Sequence, residues 1–129
     1  MTRLAWNNIG EVDLATWRWP NFSPAELASN GDGSLVVMTE ALDRLQELRT
    51  LMARPLTINS AYRDPIYNAK VGGAPLSRHK VGDAYDISIL GLDKWRLEEL
   101  ARQVGFQGFG YYNSFLHVDM GGNRSWRSW

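Results

Sequence analysis

The chain contains two histidines, His79 and His117, and no cysteine. Any metal it binds must be held by imidazole and carboxylate, because sulfur-based zinc sites, disulfides and thiolate nucleophiles are all excluded. Asp86 lies seven residues beyond His79, and Gly82 breaks the loop between them, so the chain can fold back and bring both side chains together. His117 falls in Phe115-Leu116-His117-Val118-Asp119-Met120, which alternates as a strand does. Phe115, His117 and Asp119 share one face; Leu116, Val118 and Met120 share the other, which must be the core. His117 and Asp119 therefore point together into a cleft. Two imidazoles and a carboxylate form a three-ligand set for tetrahedral zinc, with the fourth position left to water. Zinc lowers the pKa of such a water to about 7 and polarises a carbonyl, the combination that hydrolyses peptides and amides. Each residue also has a plainer role open to it. A strand histidine is commonly a hydrogen-bonded structural residue, and a strand aspartate often ends a polar network.

The segments around these residues set the frame. Ser23-Pro24-Ala25-Glu26 is a helix start with a capping box and proline in the first turn, and Asn30-Gly31-Asp32-Gly33 reads as a turn. Met38, Leu42, Leu45, Leu48 and Met52 recur at three and four, predicting a helix over 36–52 that Pro55 terminates. Residues 56–61 alternate as a half-buried strand. Asp64-Pro65 opens a short helical turn that Gly72-Gly73 ends, and residues 74–81 read as a loop. A second strand covers 84–89. Asp93 caps a helix with Leu97, Leu100, Ala101 and Val104 on its apolar face and Gly105 at its end. A glycine-rich stretch, 105–110, leads through Tyr111-Tyr112 and a turn at Asn113-Ser114 into the strand of His117, and a Gly-Gly tail follows. This order predicts an α+β fold: one domain over 1–129, with a mainly antiparallel sheet and helices packed on one side.

Composition narrows the partners. The chain has 129 residues, 44% hydrophobic and 22% charged, and fourteen basic residues balance fourteen acidic ones. A nucleic-acid backbone or an anionic membrane would call for a basic excess, so neither is expected as a partner. No segment approaches the roughly 20 apolar residues of a membrane span, and the N-terminus has no apolar core of signal-peptide length. The expectation is a protein made in the cytoplasm that reaches its target after release or as part of a particle. The six tryptophans suit core and rim packing.

Read as strings, the flanking residues say more. Ile58-Asn59-Ser60-Ala61-Tyr62-Arg63, Ser77-Arg78-His79-Lys80-Val81-Gly82-Asp83-Ala84-Tyr85-Asp86-Ile87 and Phe115-Leu116-His117-Val118-Asp119-Met120-Gly121 resemble the zinc D-alanyl-D-alanine carboxypeptidase family. Its relatives include phage L-alanyl-D-glutamate endolysins, murein DD-endopeptidases and the hedgehog signalling domain. The resemblance runs from about Phe22 to Trp126. It implies one zinc ion held by His79, Asp86 and His117, and hydrolysis of peptide bonds of the peptidoglycan stem peptide as D,D-carboxypeptidase or endopeptidase; a monomer is the expected state, although nothing in the residues fixes it. A phage lysis or tail-associated enzyme is the provenance that fits. It also implies that Arg63 steadies the substrate carbonyl or its oxyanion, the alternative being a solvated turn residue. Tyr62 is a substrate-contact candidate, and Ser77 either orders the loop around His79 or touches substrate. Many family members carry a glutamate base three residues before the final histidine ligand. Ser114 stands there in this chain. Asp119 is the substitute, either as general base or as an acceptor that orients His117. Arg124 and Trp126 fit the family's ending, and Trp126 either walls the cleft or packs. A zinc domain that binds wall peptide or a protein partner without cutting is the other function class.

Overall fold

The computed structural model describes residues 2–128. Strand β1 (Arg3–Trp6) pairs antiparallel with β2 (Leu35–Met38) in a small two-stranded sheet. Between them lies α1 (Pro24–Leu27), which starts as its sequence dictates. Ser23 Oγ accepts from the Glu26 N–H at 3.3 Å, and Glu26 Oε1 accepts from the Ser23 N–H at 2.7 Å. Helix α2 (Thr39–Met52) buries Ala41, Leu42, Leu45, Leu48 and Met52, and its cap Ala53 turns left-handed (φ 56°). The helical spacing predicted from residue 36 holds only from Thr39. Val36 and Val37 are β-branched and stiff, and they extend as β2 against a partner strand too short to be recognised from its own residues.

The larger sheet has the order β3 (Ile58–Ser60), β4 (Ala84–Ser88), β6 (Phe115–Asp119), β5 (Gly108–Tyr112) and β7 (Arg124–Ser128). Neighbours run antiparallel except β5 and β7, which are parallel. Helix α3 (Pro65–Lys70) follows β3 and is capped by Asp64, whose Oδ1 accepts from the Tyr67 N–H at 2.9 Å. A 3-10 turn, Arg78–Lys80, sits in the segment expected to be a loop. Helix α4 (Lys94–Val104) starts at Asp93 and stops at Gly105, whose φ of 114° only glycine adopts without strain. Strand β7 lies where a tail was expected. Its exposed Arg124, Ser125 and Arg127 give no apolar alternation, as befits an edge strand.

One buried cluster joins α2 and α4 to the sheet. Leu42, Leu45 and Leu48 meet Leu97 and Ala101 on the helices, and Ile87, Phe109, Leu116 and Val118 on the strands. The fold is α+β with a mainly antiparallel sheet, as expected, and alternation sends the other residues of β4, β5 and β6 to the face away from this core. Leu45 is fully buried. Leu45→Ala is expected to lower stability by about 2–5 kcal/mol, read by urea denaturation, while leaving zinc stoichiometry unchanged. A cost below about 1 kcal/mol would contradict this placement of the core.

Candidate metal centre

Three elements bring the expected ligands together. His79 comes from the 3-10 turn, Asp86 from the middle of β4, and His117 from its register partner position on β6. All three are buried, and one ligand atom from each lies within 4.8 Å of the others. His79 Nε2 is 3.2 Å from Asp86 Oδ1, and His117 Nδ1 is 2.9 Å from the same oxygen. A tetrahedral ion with bonds of about 2.0–2.1 Å sets its donors roughly 3.3 Å apart. The donor set and its spacing fit one zinc ion.

The other nitrogen of each imidazole is tied down, as ligating histidines require. His79 Nδ1 lies 2.6 Å from the Ala61 carbonyl oxygen, and His117 Nε2 lies 2.7 Å from Asp119 Oδ2. With those nitrogens donating, His79 Nε2 and His117 Nδ1 carry the lone pairs that face the ion. Ser77 sets the turn itself, its Oγ accepting from the His79 N–H at 3.2 Å.

Asp119 is fully buried behind His117 rather than in the cleft. Arg124 grips it two-handed, Nη1 to Oδ1 and Nη2 to Oδ2 at 2.8 Å each, and the Gly121 N–H donates to Oδ1 at 2.9 Å. With His117 on Oδ2, both oxygens are committed. Burial pushes the Asp119 carboxyl upward, but hydrogen bonds from His117 and Arg124 outweigh it and hold it far below the usual range.

Two glycines of β5 make these meetings possible. Gly108 lies in register between Asp119 and Arg124, and Gly110 between His117 and Trp126. Across each row the flanking side chains close over the bare glycine. A Cβ on Gly108 would collide with the Asp119–Arg124 pair, and one on Gly110 would stand 2.6 Å from the Trp126 indole. The indole therefore lies beside His117, ring centroids 5.0 Å apart. Sequence reading found only a glycine-rich connection here; the signal it could have used is the alternate spacing of Gly108 and Gly110 before Tyr112.

An open cleft of about 570 Å³ runs over the site. Arg63, Ser77 and Trp126 line it with the three ligands, as do Arg78 and Tyr112, which sequence reasoning passed over. Arg63 is fixed by Ser60 Oγ at 3.1 Å and Asn68 Oδ1 at 3.3 Å, with Nη2 3.5 Å from Asp86 Oδ2. It is therefore not a solvated turn residue. Arg78 is paired with the buried Asp83. Tyr62 does not join the cleft. Its neighbour Arg63 turns toward Asp86, whereas the Tyr62 side chain packs on the core. Ser114 lies at the exposed β5–β6 turn and also lies outside the cleft.

Fold and centre together describe a zinc-type metal site: a buried His-Asp-His set at the base of a groove, with an arginine beside it. Residues 20–119 match the model of the Peptidase M15 family, and the chain belongs to that family. It is 37% identical over 89 residues to the zinc D-Ala-D-Ala carboxypeptidase of Streptomyces albus G. That alignment takes in 64% of this chain but 35% of the relative, so the chain spans about a third of the protein it matches.

Burial pushes the Asp86 carboxyl up, yet hydrogen bonds from His117 and His79 bring it down to about 2. Burial alone would lower His117, but its bonds to Asp119 and Asp86 raise it above the usual value. In the metal-free protein a proton on Nδ1 thus stands where an ion would bind. That proton stabilises the metal-free fold fully below the unfolded pKa of about 6.5, and the contribution is lost as pH rises through the raised folded value. Zinc competes with it. Zinc affinity, measured by competition with a chelator of known affinity, is expected to climb as pH rises from about 6 to 8; a flat profile would contradict the proton's place. Gly110→Ala should displace the Trp126 indole N–H resonance, assigned by its loss in Trp126→Phe, with one zinc still bound. An unmoved resonance would show that the glycine is not what admits the ring.

Proposed function

We propose that the protein is a zinc-dependent peptidase that hydrolyses a peptide bond in the stem peptide of bacterial peptidoglycan. One observation carries this reading: His79, Asp86 and His117 converge at ligand distance at the base of an open cleft, in a chain of the Peptidase M15 family. The relative's name supports a D-alanine-containing bond as the target. Zinc held by these three residues supplies a Lewis acid that polarises a carbonyl and activates water.

The chain's own groups do the rest. The Arg63 guanidinium sits beside Asp86, where it can pair with negative charge developing on the substrate carbonyl oxygen. Ser77 and Trp126 offer a hydroxyl and an aromatic face to the bound peptide. Of the two roles open to Asp119, positioning is the one its surroundings support. Its oxygens are occupied by His117, Arg124 and Gly121, and it holds the imidazole of His117 in one tautomer. A second reading, a zinc domain that binds wall peptide without cutting it, is favoured by one fact. Among the described residues lining the cleft, the only carboxylate is the ligand Asp86.

Incubation of the zinc-loaded protein with muropeptides decides between them. The expected result is hydrolysis that a chelator removes, zinc restores and His117→Ala reduces to background. Mass spectrometry of the products assigns the bond: release of free D-alanine marks exo action, and separated stem peptides mark endo action. Binding without turnover would establish the second reading, and turnover indifferent to chelator would overturn both.

A further inference from the structure

Breaking an amide requires a proton for the departing nitrogen, because an amine leaves as the neutral molecule and not as its anion. The cleft is short of groups to give one. Asp86 is a ligand, and Asp119 is sealed behind His117. Arg63, Arg78 and Arg124 line the space, but a guanidinium does not part with its proton in a protein. The alkyl hydroxyl of Ser77 is a much weaker acid than a phenol. Among the described residues of the cleft, that leaves Tyr112.

Tyr112 is placed for the task from several sides. It lies on β5 two residues past Gly110, hence on the face that carries His117 and Trp126. Phe115 stacks on its ring, centroids 4.3 Å apart and planes 12° from parallel. The Trp126 Nε1–H donates to the Tyr112 Oη at 3.0 Å. Indole nitrogen can only donate, so this bond fixes the polarity: the phenol oxygen accepts, and its own proton remains to be given. Trp126 itself is seated against His117 by the bare backbone of Gly110. The hydroxyl is thus tied by one intervening ring to the metal centre.

We propose that Tyr112 is the catalytic proton donor to the leaving amine and that Trp126 positions it. The inference rests on the peptidase reading. As the C–N bond breaks, the nitrogen keeps the bonding pair and takes the phenolic proton. The water whose oxygen has joined the acyl carbon gives up a proton, which returns to the phenolate. One water is consumed, and an acid and an amine are released.

Tyr112→Phe keeps the ring and the stack on Phe115 but removes the proton. On a peptide substrate kcat should fall about 10²–10⁴-fold with KM little changed, while zinc affinity, read by chelator competition, stays as in the wild type. On an aryl ester of the same acyl peptide, whose leaving group departs without a proton, the loss should be smaller by about tenfold or more. Trp126→Phe, which frees the hydroxyl without deleting it, should lower kcat on the peptide by less than Tyr112→Phe does. An unchanged kcat in Tyr112→Phe overturns the proposal and leaves the peptidase reading standing. Equal losses on peptide and ester also overturn it, because they indicate a structural role. A zinc-loaded wild type that cleaves neither substrate overturns the peptidase reading, and this proposal with it.

Discussion

Asp86 keeps a carboxylate in a site that is only 5% exposed, where an uncompensated charge costs several kcal/mol. Its compensation is two imidazoles and, slightly further off, the guanidinium of Arg63. That requirement ties distant segments together. The turn of His79 must return to β4, β6 must lie beside β4 with His117 opposite Asp86, and the chain after β3 must bring Arg63 alongside. Each is pinned by backbone contacts, such as the Arg63 N–H to the His79 carbonyl at 3.1 Å. The apolar cluster under α2 and α4 fills the opposite face, so the sheet divides the molecule into a core that stabilises and a polar face that binds.

Neutrality is achieved locally as well as over the whole chain. Three arginines reach the cleft, and each has an aspartate partner: Arg63 with Asp86, Arg78 with Asp83, Arg124 with Asp119. A divalent ion then makes the cleft net positive by its own charge. An environment balanced in this way holds its arginines in fixed orientations while leaving the metal as the source of excess charge. The near absence of side-chain bulk on β5, where Gly108 and Gly110 face the site, lets the Asp119–Arg124 pair and the Trp126 ring close in on His117 from β6 and β7.

Much of this was legible in the chain itself. With no cysteine and two histidines, the imidazole donors followed from composition. The choice of Asp86 among fourteen acidic residues rested on its spacing and on the family resemblance, and the alternation of residues 115–120 put His117 and Asp119 on one face. Capping residues marked the starts of α1, α3 and α4. What escaped notice shares a physical cause: it depends on partners remote in sequence. Strand β7 has no apolar periodicity and exists because β5 offers it an edge. Residues 36–38 join β1, although their spacing continues the helical pattern of α2. Tyr62 and Arg63 stand side by side in the string that carries the resemblance, and only the cleft reveals that Arg63 faces it and Tyr62 does not. Tyr112 carries no local signal at all; its place follows from the register that sets Gly110 between His117 and Trp126.

The most direct measurement is a crystal structure of the zinc-loaded protein with anomalous data collected on both sides of the zinc edge. The expected result is one anomalous peak per chain, about 2.0–2.2 Å from His79 Nε2, His117 Nδ1 and a carboxylate oxygen of Asp86, with a coordination position open to the cleft. A peak elsewhere, no peak at full zinc loading, or either imidazole turned away from Asp86 would contradict the metal centre and the chemistry built on it.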